Sequence, residues 1–201
     1  MMKYIRKSLA LSNIIAKKMA TNDPQQLELL KDRLKTRFGV PVGMHMTGIP
    51  LGISMILAIF CYAMPQVSLW MIIFNWLSMP EYKVLVGVFF AAAVYCVLIM
   101  TTMLLTARGS LSGLKSHLFF IMLTGAIAIL YFISAFFSLL FGSVDNYTPQ
   151  ITSLLGLIFF LLNVKWINSS LFYRSIALSL HNRVWRKQLK IEARHAQMLK
   201  R

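Results

Sequence analysis

Residues Val84–Thr106 read VLVGVFFAAAVYCVLIMTTMLLT, 23 positions without a charged side chain or a proline. A helix needs about 20 apolar residues to cross a hydrocarbon core about 30 Å thick. Within lipid, every backbone N–H and C=O must find its partner inside its own segment, so such a stretch reads as a helix and not as an open strand. Three further stretches are predominantly apolar: Val42–Met64 (23 residues, with Pro50), Leu118–Phe141 (24 residues), and Ile151 to about Ser170, whose apolar part is the 17 residues Ile151–Ile167, with Lys165. The expected fold is therefore an all-α polytopic membrane protein. It has four transmembrane helices over 42–64, 84–106, 118–141 and 151–170, set between a basic arm over 1–41 and a basic C-terminal helix over 171–201.

Composition agrees. The 201 residues are 58% hydrophobic and 13% charged, against about 45–50% and about 25% for soluble domains. These values exclude a disordered tail or a collagen-like fibre and argue against a water-soluble enzyme. With only Cys61 and Cys96, at unmatched depths in their apolar runs, a disulfide-stapled secreted domain is excluded too.

One segment is ambiguous. Val67–Met79 (VSLWMIIFNWLSM) is apolar but has 13 residues, about 20 Å of helix, too short to cross. Pro65 and Pro80 bracket it, and it carries Trp70, Asn75 and Trp76. It reads either as an interfacial segment at the outer surface or as a kinked extension of the first span.

The charge map selects between topologies. The net charge is +15, from 21 Lys+Arg against 6 Asp+Glu. With four spans, 19 of the 21 basic residues share one side: nine between Lys3 and Arg37, Arg108 and Lys115 between spans two and three, and eight from Arg174 to Arg201. Lys83 alone lies opposite, and Lys165 sits in the last span. Excess Lys and Arg mark cytoplasmic loops, so both termini are expected in the cytoplasm. A fifth span over Val67–Met79 would place the C-terminal eight outside. The charge is thereby explained without nucleic acid, for which no motif is present. The first apolar run starts too late for a cleavable signal peptide. Met1–Asn22 has five basic residues and no acid, like a mitochondrial presequence. Four of the five are Lys where transit peptides favour Arg, so the bacterial inner membrane is the expected location and a mitochondrial membrane the alternative.

Both arms read as helices. Asp23 can cap a helix whose first residue is Pro24, and Gln26 completes a capping-box spacing. Leu27, Leu30, Leu34 and Phe38 then form one stripe, with Lys31, Arg33, Lys35 and Arg37 on other faces and Gly39 and Pro41 as the stop. The C-terminal arm reads as a helix continuing out of the membrane, with Leu171, Leu178, Trp185 and Leu189 near heptad spacing. The basic residues Lys31, Arg33, Lys35, Arg37, Arg183, Arg186, Lys187 and Lys190 are the candidate surface for anionic lipid headgroups or for docking to other membrane proteins or a second copy.

A search for chemistry yields little. Intramembrane ionisable residues are functional candidates by default. Lys165 is the one such residue, and its long stem can snorkel to the headgroups; the alternative is a polar cluster of Asn163, Lys165 and Asn168. No carboxylate lies in any span, which argues against proton- or cation-coupled transport. His45, His117, His181 and His195 lack metal-ligand spacing and read as hydrated interfacial residues. The Gly109–Lys115 stretch (GSLSGLK) matches neither GxSxG nor a phosphate loop and reads as a short turn. Gly48 and Gly52, and Gly87 and Ala91, have the small-xxx-small spacing that lets helix backbones approach. No enzyme activity, cofactor or metal is expected. The expected function is that of a non-catalytic inner-membrane subunit or accessory of an envelope complex such as a secretion or conjugation apparatus. The alternatives are a stand-alone immunity or exclusion protein, or a small holin-like pore.

Overall fold

A computed structural model of the chain describes residues 2–19, 23–38, 48–80, 82–141 and 147–199. Among them, eight helices follow in order: α1 (Lys3–Lys18), α2 (Pro24–Phe38), α3 (Ile49–Ala63), α4 (Gln66–Trp76), α5 (Lys83–Ala107), α6 (Leu111–Phe141), α7 (Thr148–Ile167) and α8 (Ser170–Leu199). The expected stop at Gly39 and Pro41, the start of the first span at Val42, and His45 lie outside the described residues, as does Asp145.

Four helical stretches are long and apolar enough to cross a membrane: Ile49–Trp76, Lys83–Ala107, Leu111–Leu140 and Thr148–Ile167. Only 22–28% of each apolar window is buried inside the protein. Side chains such as Phe89 and Phe90 stand outward. Apolar exposure on this scale far exceeds the patches that soluble monomers tolerate, and fits hydrocarbon as the solvent.

Of the ambiguous Val67–Met79 stretch, residues up to Trp76 are helical and residues 77–79 lie beyond the helix. α4 continues α3 through a two-residue turn at Met64–Pro65, where Pro65 keeps helical dihedrals (φ −78°, ψ −11°). Leu69 N–H bonds Pro65 O at 3.0 Å and Met64 N–H bonds Phe60 O at 3.3 Å. Proline removes one amide from the ladder and crowds the preceding turn, which bends a helix without ending it. α3 and α4 together count as one candidate span, Ile49–Trp76.

The Gly109–Lys115 stretch is mostly helix, with the turn confined to Arg108–Ser110. α5 ends in a Schellman motif. Gly109 N–H bonds Thr106 O at 2.8 Å and Ser110 N–H bonds Leu105 O at 3.0 Å. Gly109 adopts φ +77°, the left-handed conformation that glycine takes without a Cβ penalty. Gly113 then lets α6 start hard against α5, since a Cβ there would stand 2.6 Å from Leu105 Cβ.

The chain divides into two compact units. The first gathers residues 1–52, 102–117 and 166–201. Its spine is α8, which is not a continuation of α7. A break at Asn168–Ser169 starts a new helix, and Ser169 Oγ accepts the Phe172 N–H at 3.2 Å as its N-cap. Phe172, Ile176, Leu180 and Val184 recur every four residues and are wholly buried. Of the heptad positions, Leu178 is buried, while Leu171, Trp185 and Leu189 are half exposed. Against this spine, α2 packs the stripe Leu27, Leu30 and Leu34, all buried. Asp23 Oδ1 accepts the Gln25 N–H at 3.0 Å, so the expected cap is in place. α1 packs through Ser8, Leu11, Ser12 and Ile15.

Hydrogen bonds fix the directions. Asn168 Oδ1, just before α8, accepts the Tyr4 N–H at 2.9 Å, and Lys187 Nζ, past the middle of α8, donates to Met19 O. α1 therefore runs parallel to α8, with an orphan amide satisfied at one end and an orphan carbonyl at the other. α2 runs antiparallel, because Arg37 Nη1 reaches the Tyr173 hydroxyl at 3.1 Å and Lys31 Nζ reaches Gln188 Oε1 at 3.4 Å.

The second unit gathers residues 53–101 and 118–165. Its buried seam is built of small side chains: Ala58 and Cys61 on α3, Gly125 and Ala128 on α6, Ser153 and Gly156 on α7. Apolar burial gains nothing when the solvent is lipid, so close packing and interhelical hydrogen bonds carry the association. A Cβ on Gly125 would stand 2.0 Å from the Phe160 ring, and one on Gly87 2.6 Å from the Trp70 ring. Tyr62 and Tyr95 stack at 4.0 Å. Tyr131 shares its hydroxyl with Ser68 Oγ at 2.6 Å and Thr152 Oγ1 at 3.0 Å. Cys61 and Cys96 are free.

Candidate functional site

The expected polar cluster of Asn163, Lys165 and Asn168 does not form: the two asparagines take separate partners and the lysine is exposed. Asn163 is buried and pairs reciprocally with Ser54 on α3: Ser54 Oγ donates to Asn163 Oδ1 at 2.9 Å, and Asn163 Nδ2 donates to Ser54 O at 3.1 Å. Both groups are polar, and each satisfies the other where no water is available. Lys165 is exposed. Asn168 serves the N-terminus of α1, as described above. Beside it, Trp166 Nε1 donates to Pro50 O at 2.9 Å.

Of the small residues, Gly87 is buried under Trp70, and Ala91 is half-buried. Gly48 and Gly52 have no atom within 4 Å of a Cβ built on them. The small residues that form the seam come in pairs three residues apart, Ala58 and Cys61, Gly125 and Ala128, Ser153 and Gly156. That spacing was the available signal, but it is diluted by alanines and glycines with no packing role.

The basic candidates divide by α8's geometry. Lys31 bridges Gln188 and also pairs with Glu28 at 3.8 Å, the one ion pair among the described residues. Arg33 and Lys35 are exposed on α2, and Arg37 meets Tyr173. On α8, Arg183 Nη1 donates to Gly109 O at 2.8 Å, and Arg186 donates to Asn182 O at 3.1 Å and Arg108 O at 3.2 Å. The Gly109 and Arg108 carbonyls close the C-terminus of α5, where the helix dipole is negative and cations are favoured. Lys187 does the same for α1. Lys190 is exposed one turn further on.

Arg108, Arg183, Arg186, Lys187 and Lys190 thus wall one cleft of about 390 Å³, with Met19 as an apolar edge. A second cleft of about 350 Å³ shares Lys187 and Lys190 and runs on to Arg194 and His195. Among the described residues, no acidic side chain lines either.

The histidines are not uniformly hydrated. His117 is wholly buried, with Nδ1 3.4 Å from Thr102 Oγ1. His181 is half-buried on α8, and burial lowers its pKa below the ordinary value, with Lys31 and Lys35 adding to the shift and Asn182 and Asp32 opposing it. Among the described residues, no group of three or more His, Cys, Asp or Glu side chains gathers to hold a metal ion. Comparison with protein-family models, curated proteins and solved structures finds no match.

Proposed function

We propose that the chain is a four-span protein of the bacterial inner membrane, with both termini and the Arg108–Ser110 turn in the cytoplasm. In this reading it acts without catalysing a reaction, as a subunit or accessory of a larger envelope assembly such as a secretion or conjugation apparatus. One observation carries the topology. Arg183 and Arg186 bond Gly109 O and Arg108 O, and the same helix α8 holds α1 and α2. That elements from the two ends and the middle of the chain hydrogen-bond within one unit supports a common membrane face for them. The charge bias then makes that face cytoplasmic.

The docking reading is supported by what the first unit is. Its helices cover their own apolar stripes, so it stands as a folded basic head with a surplus of cations and one ion pair. Affinity purification from native membranes in mild detergent, with mass spectrometry of the eluate, tests it. Stoichiometric recovery of other envelope proteins, lost when Arg33 and Lys35 are both changed to Glu, supports the reading. Recovery of the chain alone or as a small homo-oligomer overturns it.

A further inference from the structure

The cleft between the α5–α6 turn and the distal half of α8 collects five cations from two distant parts of the sequence. Orientation by the positive-inside bias needs basic residues on one side of the membrane. It does not need them folded around one concavity. Arg108 belongs to the turn, and Arg183, Arg186, Lys187 and Lys190 come from a helix that begins more than 60 residues later. Among the described residues no carboxylate lines the cleft, so an anion that enters it meets a concentration of positive charge.

We propose that this cleft binds the phosphate of an anionic lipid headgroup. Three features fit that chemistry. Arg108 directly follows α5, an apolar helix long enough to cross a bilayer, so the cleft opens where headgroups lie. Its volume of about 390 Å³ falls in the range of small-molecule sites. The guanidinium groups of Arg183 and Arg186 are held on backbone carbonyls, each with donors remaining. A planar fork fixed in advance loses less freedom on meeting a phosphate than a free side chain does. The adjoining cleft, through Arg194 and His195, offers room for a second charged group of the same headgroup.

The proposal rests on the membrane reading above and not on any protein partner. The test uses the full chain in nanodiscs of phosphatidylcholine with increasing phosphatidylglycerol, and native mass spectrometry to count retained lipid. Retention of phosphatidylglycerol over phosphatidylcholine is expected. Arg186→Gln with Lys190→Gln should weaken it roughly thirtyfold, the effect of two charges near a surface. Lys190→Gln alone should weaken it about fivefold and keeps the test valid should the double variant not fold. Lys3→Gln with Arg6→Gln removes the same charge from α1 and should change retention little. Equal loss in that control, or equal retention of both lipids by a chain that enters the bilayer, overturns the site while leaving the membrane reading intact. Thermal stabilisation by inorganic phosphate in neutral micelles, with no preference for phosphatidylglycerol, overturns the lipid assignment. Failure to enter the bilayer at all overturns the membrane reading itself.

Discussion

Replacing Gly109 with Ala tests whether the α5–α6 turn is truly seated against α8. Two independent penalties meet at this position. The backbone stands at φ +77°, and a residue with a Cβ loses roughly 1–2 kcal/mol in the left-handed conformation. The added Cβ would also lie 2.7 Å from Ser179 O and 3.1 Å from Arg183 Cβ. The first of these is backbone of a helix buried on several sides, so it cannot swing aside. Forcing it costs about 1–3 kcal/mol more, and it disturbs the carbonyl that Arg183 holds. A loss of about 2–5 kcal/mol follows, large beside typical single substitutions. Gly52→Ala is the matched control, because nothing lies within 4 Å of its Cβ and alanine favours a helix by about 1 kcal/mol. Reversible unfolding in mixed micelles reads both. Equal stability of the two variants would refute the seating of the turn on α8, and with it the one-face assignment of the termini.

Further outcomes follow from the packing and the polar pairs. Leu34→Ala should cost about 2–5 kcal/mol at the buried α2–α8 seam and expose the amides of α2 to hydrogen exchange; Leu29→Ala on the outward face should not, and equal exchange in both would contradict the seam. Gly125→Ala should destabilise the second unit through the Phe160 ring by about 1–3 kcal/mol, seen as a lower unfolding midpoint; an unchanged midpoint would show that the ring is not seated there. Ser54→Ala removes one of two bonds to Asn163 and should lose about 1 kcal/mol in a micelle or bilayer, with steric trapping as the readout and no loss as the contrary result. His181 has its folded pKa lowered chiefly by burial. The unfolded chain therefore binds more protons, and stability should be complete above pH about 6.5 and fall as pH drops below it. His181→Gln should flatten that slope in a pH series of unfolding curves; an identical slope would assign it to other groups.

How much of this was legible follows from what each signal depends on. The apolar runs name their helices directly, because hydrocarbon thickness sets their length. α5 departs from the expected Val84–Thr106 by one residue at each end. The α2 stripe and the Asp23 cap were readable because both are local. α8 was harder. Of its heptad-like large residues Leu178 is buried but Leu171, Trp185 and Leu189 lie on an exposed face, while the buried register runs through Phe172, Ile176, Leu180 and Val184, with Ser175 and Ser179 beside it. Buried serines lower the apparent hydrophobicity of a face that small side chains make suitable for close packing. Asn163 and Asn168 were identifiable as unusual polar residues, but their roles depend on Ser54 and Tyr4, each more than 100 residues away. The carbonyl-capping roles of Arg183, Arg186 and Lys187 have no sequence signature. A basic residue meant for a headgroup and one meant for a helix end read alike.

The most direct measurement is the sidedness of single cysteines, introduced after Cys61 and Cys96 are changed to Ala. They would be placed at Met2, Ser110, Asp145 and Met198 and probed with a membrane-impermeant thiol reagent in intact cells and in inverted vesicles. A four-span protein with its basic unit on one face predicts labelling of Met2, Ser110 and Met198 in inverted vesicles only, and of Asp145 in intact cells. Labelling of Met2 and Met198 from opposite sides would contradict it.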